Sequence, residues 1–319
     1  MKINHYHFFV LSLIFLSCQQ KPAEVSANHS YLEEISVRQL QEGYAKGTFT
    51  IEQVVSDYLA RIEAIDRKGP AINSILFINP KAIELAKELD KERKEGKSRG
   101  PLHGIPVILK DNIDTYDMPT TAGATALRNS YPIKDSYITQ QLKKSGAIII
   151  AKANLSEWAN FRGDMSSSGW SGVGGQTKNP YVLDRNPCGS SAGSGAAIAA
   201  SLASFAIGTE TNGSIVCPSN NNGLVGLKPT VGLLSRGGII PISFTQDTPG
   251  PMARSVEDVA ISLGAMVGID SSDSKTIASA GKFYSNYTVF LKQDGLRGKK
   301  IGLIKNSMGY HAGVDTLMK

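Results

Sequence analysis

Apolar residues at Val54, Tyr58, Ile62 and Ile65 recur at the three- and four-residue spacing of a helix with one buried face. Ser36 with Gln39, and Thr50 with Gln53, each fit a capping box, so two helices are predicted to open the folded part. A third is predicted to start at Asn79 and Pro80, to run through Ile83, Leu85, Ala86 and Leu89, and to fray at Gly96. Beyond it the period changes. Short apolar runs at residues 105–110 ("IPVILK") and 147–151 ("AIIIA") flank a helical pattern that follows Asp135. That alternation predicts an α/β sheet with helices on both faces.

A different texture follows. Between Pro187 and Leu227 the only charged residue is Glu210, in a stretch dominated by Gly, Ala and Ser. Such a segment is predicted to be buried, with small side chains that let backbones approach closely. The 319 residues, 41% hydrophobic and 19% charged, suffice for a full core. The net charge of +6 comes from interleaved Lys and Glu, as in residues 87–97 ("KELDKERKEGK"). This is a solvated helix face without aromatic platforms, which argues against a nucleic-acid partner.

The amino terminus reads as an export signal. Lys2 precedes an apolar run from Phe8 to Leu16, shorter than the about 20 residues a membrane span needs. Leu16, Ser17 and Cys18 resemble a bacterial lipobox, with Phe15 where Leu is preferred. Residues 1–17 are therefore expected to be a lipoprotein-type signal peptide and Cys18 the lipidated first residue, anchored in a bacterial envelope. A cleaved secretory signal with a chance cysteine is the alternative, and both export the protein. Residues 18–30 are polar and aperiodic and are expected to form a tether, with folding starting near Tyr31. Cys188 and Cys217 then remain. An oxidising compartment permits one bond, but both are read as small buried residues.

Three segments carry candidate chemistry: "HGIPVILKDN" with Lys110, "NPCGSSAGSG" with Ser190, and "GTETNGSIVCP" with Ser214. A serine hydroxyl needs an adjacent base to attack an amide. Histidine is the usual one, yet past the signal only His29, His103 and His311 remain, and His103 reads as a packed loop residue. A lysine at the end of an apolar strand can serve instead, because burial disfavours its charged form. A glycine-rich tract alone would mean close helix packing, and Lys110 alone a strand-end lysine reaching solvent. A nucleotide-binding loop is a poor fit, since Gly193 and Gly195 have no third glycine and no Walker lysine follows.

Together, with "GGQTKNP", "GLKPTVGL" and "QDTPGPMARSVEDVA", these segments resemble the amidase signature family, in particular its bacterial peptide-amidase-like branch. Ser214 lies 24 positions after Ser190, the spacing that family shows between its two serines. The resemblance implies a mixed central β-sheet flanked by helices. It also implies serine-dependent hydrolysis of carboxylic or peptide amides to acid and ammonia, without cofactor or metal. Ser214 would be the nucleophile, Ser190, after a cis bond from Gly189, the relay, and Lys110 the base, with Asp111 as orienting structure. The backbone N–H groups of Thr211, Asn212 and Gly213 would bind the oxyanion, with Asn212 where glycine is commoner. Ser191, Val216 and Cys217 are the candidate substrate-binding residues, although Ser191 fits a helix N-cap equally well.

Relatives that act on carboxylate-bearing amides carry an arginine two or three residues after the nucleophile. Val216 and Cys217 stand there, so small neutral amides or peptide amides are the expected partners, unless Arg162 reaches the pocket. Two alternatives share the motifs: an amidotransferase-like protein, against which the export signal argues, and a catalytically impaired surface-binding remnant. Members of the family continue past the expected strand at residues 298–304 ("GKKIGLI"). Residues 31–319 are thus expected to form an amidase domain lacking the usual C-terminal part.

Overall fold

The computed structural model describes residues 27–319; Cys18, the signal peptide and most of the tether lie outside the described residues. The folded part begins earlier than Tyr31, with a short 3-10 helix, Ala27–Leu32. His29 is seated there with Nδ1 3.1 Å from Asp57, so the end of the expected tether belongs to the domain.

Helices α1 (Val37–Lys46) and α2 (Ile51–Arg61) follow. Ser36 completes a reciprocal capping box with Gln39, whereas Thr50 supplies only its own half, accepting the Gln53 N–H at 3.1 Å. Helix α2 runs into a π-helical turn, Ile62–Arg67, whose Asp66 binds the Ser74 and Ile75 N–H groups at the mouth of β1 (Ile75–Ile78). Helix α3 (Ala82–Lys94), strand β2 (Pro106–Lys110), helix α4 (Tyr137–Lys144) and strand β3 (Ile148–Ala153) come next. A two-stranded ribbon, β4 (Trp170–Ser171) with β5 (Gly175–Gln176), precedes α5 (Ala192–Ala199) and β6 (Phe205–Glu210). Helix α6 (Val216–Asn221), strands β7 (Val225–Gly226) and β8 (Thr248–Ala253), and helices α7 (Val256–Met266) and α8 (Ala312–Met318) complete the order.

The main sheet runs β1-β3-β2-β6-β8-β7. Its centre is parallel, β2 lying between β3 and β6, and its flanks pair antiparallel, so the sheet is mixed. Every residue of β2, β3, β6 and β8 is buried. Strands buried at both odd and even positions need cover on both faces, which accounts for continuous apolar runs without alternation. Parallel order also brings the carboxyl ends of β2 and β6 to one edge, where α/β sheets place ligands.

The Gly/Ser/Ala tract behaves as expected only in part. Residues 189–198 and 201–210 are buried, and a Cβ on Gly193 would lie 2.3 Å from the Ser74 carbonyl oxygen. Likewise a Cβ on Gly208 would meet Ser191 Oγ at 2.7 Å, so helix and strand pack at a distance only glycine allows. Past Glu210 the tract surfaces, with Asn212, Val216 and Asn220 exposed. Residues 301–304 form no strand; they are exposed coil and pair with neither edge of the sheet. No helix of the described residues is long and apolar enough to cross a membrane.

Candidate active site

Lys110 ends β2 and is fully buried. Its Nζ lies 2.8 Å from Ser190 Oγ, 2.9 Å from Thr209 Oγ1 and 3.1 Å from the Thr209 carbonyl oxygen. All three partners are neutral. Burial pulls the Lys110 pKa down from 10.5 to about 7, against the opposing charges of Glu210 and Asp247. A neutral amine has two N–H groups and one lone pair. With the two Thr209 oxygens accepting, the lone pair is left for the Ser190 hydroxyl. Asn112 Nδ2 donates to Thr209 Oγ1 at 3.0 Å and steadies that hydroxyl.

Ser190 follows a cis peptide bond from Gly189, and its carbonyl accepts the Ser156 N–H at 3.1 Å. Ser214 lies in the turn between β6 and α6, 8% exposed. The Ser191 N–H donates to the Ser214 carbonyl at 3.2 Å, so the two serine-bearing arms touch through their backbones. Among the described residues the Ser214 hydroxyl makes no hydrogen bond, and the link from Ser214 Oγ to Ser190 Oγ is open. Such links tighten in complexes.

Three expectations require correction. Ser191 occupies the N-cap position of α5 but its hydroxyl neither caps the helix nor faces a ligand: it donates to the Thr209 carbonyl at 3.1 Å and accepts the Thr209 N–H at 3.2 Å. It is fully buried and fastens α5 to β6. Cys217 is joined to Cys188 in a disulfide, with Cα atoms 6.0 Å apart, so neither is a free thiol and Cys217 is no independent substrate contact. The bridge ties the residue before Gly189 to α6, just after Ser214. The Gly213 N–H is already engaged, donating to Glu210 Oε1 at 2.8 Å, which leaves the Thr211 and Asn212 N–H groups free of protein acceptors among the described residues. Gly213 has φ +81°, which suits glycine. Arg162, the arginine that could have reached the pocket, instead lies 3.5 Å from Glu157 and 4.9 Å over the Trp170 ring.

Val216 is exposed at the start of α6. His103 is buried away from Lys110, with Nε2 3.0 Å from the Leu89 carbonyl oxygen and Nδ1 accepting the Arg99 N–H. Asp111 is structural: it sits 3.1 Å from Lys152 of β3 and accepts the Thr121 N–H and hydroxyl. Both members of that pair are fully buried; burial raises the Asp111 pKa and lowers that of Lys152, and each partner's charge opposes the shift.

Nothing in the sequence singles out Thr209, Asp247 or Lys152, and Glu210 stands out there only as an isolated charge. A cavity of about 460 Å³ opens beside Thr209, Glu210 and Asp247, its other lining residues including Asn112, Thr211, Ile240 and Phe244. Its arginine, Arg236, is held by Asp273 and by the Phe244 carbonyl oxygen. Asp247 receives the Thr211 hydroxyl and the Ile242 and Ser243 N–H groups.

The amidase family pattern matches residues 53–319, and the chain belongs to the amidase family. A solved peptide amidase of Stenotrophomonas maltophilia is 54% identical, with a TM-score of 0.82, over 83% of this chain and 54% of its own. An amidase family protein of Bacillus anthracis superposes with a TM-score of 0.85 at 42% identity, over 89% of this chain and 57% of its own. A glutamyl-tRNA(Gln) amidotransferase component of Microcystis aeruginosa is 40% identical over 275 residues, 86% of this chain and 54% of that protein. The chain thus spans about half the length of these relatives.

Proposed function

We propose that this protein hydrolyses neutral carboxylic or peptide amides to acid and ammonia through Ser214, Ser190 and Lys110. The observation that carries the reading is the Lys110 amine, fully buried among neutral partners and 2.8 Å from Ser190 Oγ. With its pKa near 7, the amine is a base at working pH. Ser214 Oγ attacks the amide carbonyl carbon, its proton passing to Ser190 Oγ as the Ser190 proton passes to Lys110. The N–H groups of Thr211 and Asn212 receive the oxyanion, each donor of that kind contributing about 3 to 4 kcal/mol. The relay then runs backward, the C–N bond breaks, and the leaving nitrogen departs protonated as ammonia. Water, deprotonated by the same relay, cleaves the Ser214 ester and releases the acid.

A neutral substrate is favoured because Arg236, which lines the cavity, is held by Asp273, and Arg162 is paired with Glu157. Val216 and the disulfide-bonded Cys217 offer no cation in their place. The likeness to an amidotransferase component supports a second reading, in which the same relay releases ammonia from glutamine to an acceptor. A fluorophosphonate that labels the wild type and not Ser214→Ala, together with ammonia release from a neutral amide, is the expected result. No labelling of the wild type would point to a binding protein, and release from glutamine alone to the amidotransferase reading. Export and lipidation at Cys18 belong to the same proposal. A fatty-acid label that persists in Cys18→Ser would refute them.

A further inference from the structure

Glu210, the single charge between Pro187 and Leu227, ends β6 and is only 4% exposed. Its Oε1 accepts the Gly213 N–H at 2.8 Å, and its Oε2 accepts those of Ile215 at 2.7 Å and Val216 at 3.0 Å. These donors stand on both sides of Ser214. Three acceptor contacts from two oxygens need a carboxylate, since a carboxamide would present one NH₂ to N–H donors. Charge-assisted bonds of this type are roughly twice as strong as neutral ones.

We propose that Glu210 is the positioning residue of the nucleophile, its carboxylate gripping the turn around Ser214 while its negative charge acts on the Lys110 amine. This rests on the roles assigned above to Ser214 and Lys110. The charged groups that bear on Lys110 are Glu210, from β6, and Asp247, from the segment before β8. Lys152 and Asp111, on the β3 side, pair with each other, and helix α5 carries no charge. Removing the Glu210 charge withdraws one of the two influences that keep the Lys110 proton bound. The acid limb of activity therefore moves to lower pH.

The test compares wild type, Glu210→Gln and Glu210→Asp in the full chain. Turnover of a neutral amide is read against pH, and Lys110 is titrated directly by NMR of ¹³C-labelled lysine, assigned with Lys110→Arg. Glu210→Gln should lose about 100-fold in kcat, as expected for a nucleophile displaced by about 1 Å, with KM little changed. Its Lys110 midpoint should fall below that of the wild type. Glu210→Asp, which keeps the charge, should restore most of both. An unchanged midpoint in Glu210→Gln overturns the electrostatic half, and an unchanged kcat overturns the positioning half. The titration stands even if the wild type shows no amidase activity, so failure of the functional reading is separable from failure of this one. Should Glu210→Gln not fold, amide exchange in the wild type decides: Val216 is 45% exposed, and exchange of its N–H at the unprotected rate would overturn the grip.

Discussion

Replacing Lys110 by Met should change how stability depends on pH, in a direction set by burial. In the folded chain Lys110 gives up its proton near pH 7, whereas the unfolded chain keeps it to about 10.5. Between those values the unfolded state binds more protons, so wild-type stability rises with pH. The full displacement is worth about 5 kcal/mol, at 1.36 kcal/mol for each pH unit. Between pH 6 and pH 9, an interval that takes in the lower part of that range, the wild type should gain about 2.5 kcal/mol relative to Lys110→Met. Below pH 7 the gain is gone, because the ammonium must then be held inside.

Urea unfolding at a series of pH values, followed by the fluorescence of Trp158 and Trp170, provides the measurement. Other groups titrate over the same range, so the quantity to plot is wild type minus variant, in which their contributions cancel. Methionine matches the length of the lysine stem and deprives Ser190 and Thr209 of the Lys110 amine at every pH. That loss offsets the difference curve without tilting it. A flat difference curve would refute the argument, since Lys110 would then have the same proton affinity folded and unfolded and could not act as a base near neutrality.

Ser214→Ala should abolish turnover, while Lys110→Ala and Ser190→Ala each lower kcat steeply; double variants should lose little more than single ones, and additive losses in kcat would break the relay. Replacing Cys188 and Cys217 together by Ala should cost about 3.6 kcal/mol in urea unfolding, the loop entropy of a bridge spanning 29 positions, and a loss below about 1 kcal/mol would show that the bridge constrains little. A neutral amide should exceed its carboxylate-bearing analogue in kcat/KM, and Val216→Arg should shift the ratio toward the anion; a wild-type preference for the anion would overturn the assignment.

What could be read in advance followed from local pattern. The apolar run ending in Lys110 made it a strand-terminal, desolvated lysine, and the structure buries it fully. The Ser36 capping box and the close packing at Gly193 are equally local consequences of residue type. What escaped depends on which distant backbone groups meet. Ser191 looked like a helix cap or a site residue, but the missing Cβ of Gly208 draws it against β6, where Thr209 takes both hydrogen bonds. The Gly213 N–H seemed free until Glu210 folded back on its own turn. Cys188 and Cys217 were read as buried apolar residues, because nothing in their local sequence shows that the two serine arms converge.

The two buried lysines show why position alone does not make a base. Lys110 ends β2 and Lys152 lies on the paired strand β3, both fully buried and both pulled below the ordinary lysine pKa by desolvation. Lys152 has a carboxylate 3.1 Å away, so its proton is shared within an ion pair that also binds Thr120 and the Pro119 carbonyl oxygen. Taking the proton from that lysine would strand the Asp111 charge in the interior, at a cost of several kcal/mol. Among the described residues Lys110 has no carboxylate in contact. Its partners are hydroxyls and a carbonyl, and the carboxylates of Glu210 and Asp247, which favour its ammonium without touching it, make their hydrogen bonds to the N–H groups and hydroxyl of the surrounding loops. Losing a proton there strands nothing, and gaining one is opposed only by burial. The chain thus places a structural lysine and a candidate catalytic one on adjacent strands and separates their chemistry by a single aspartate.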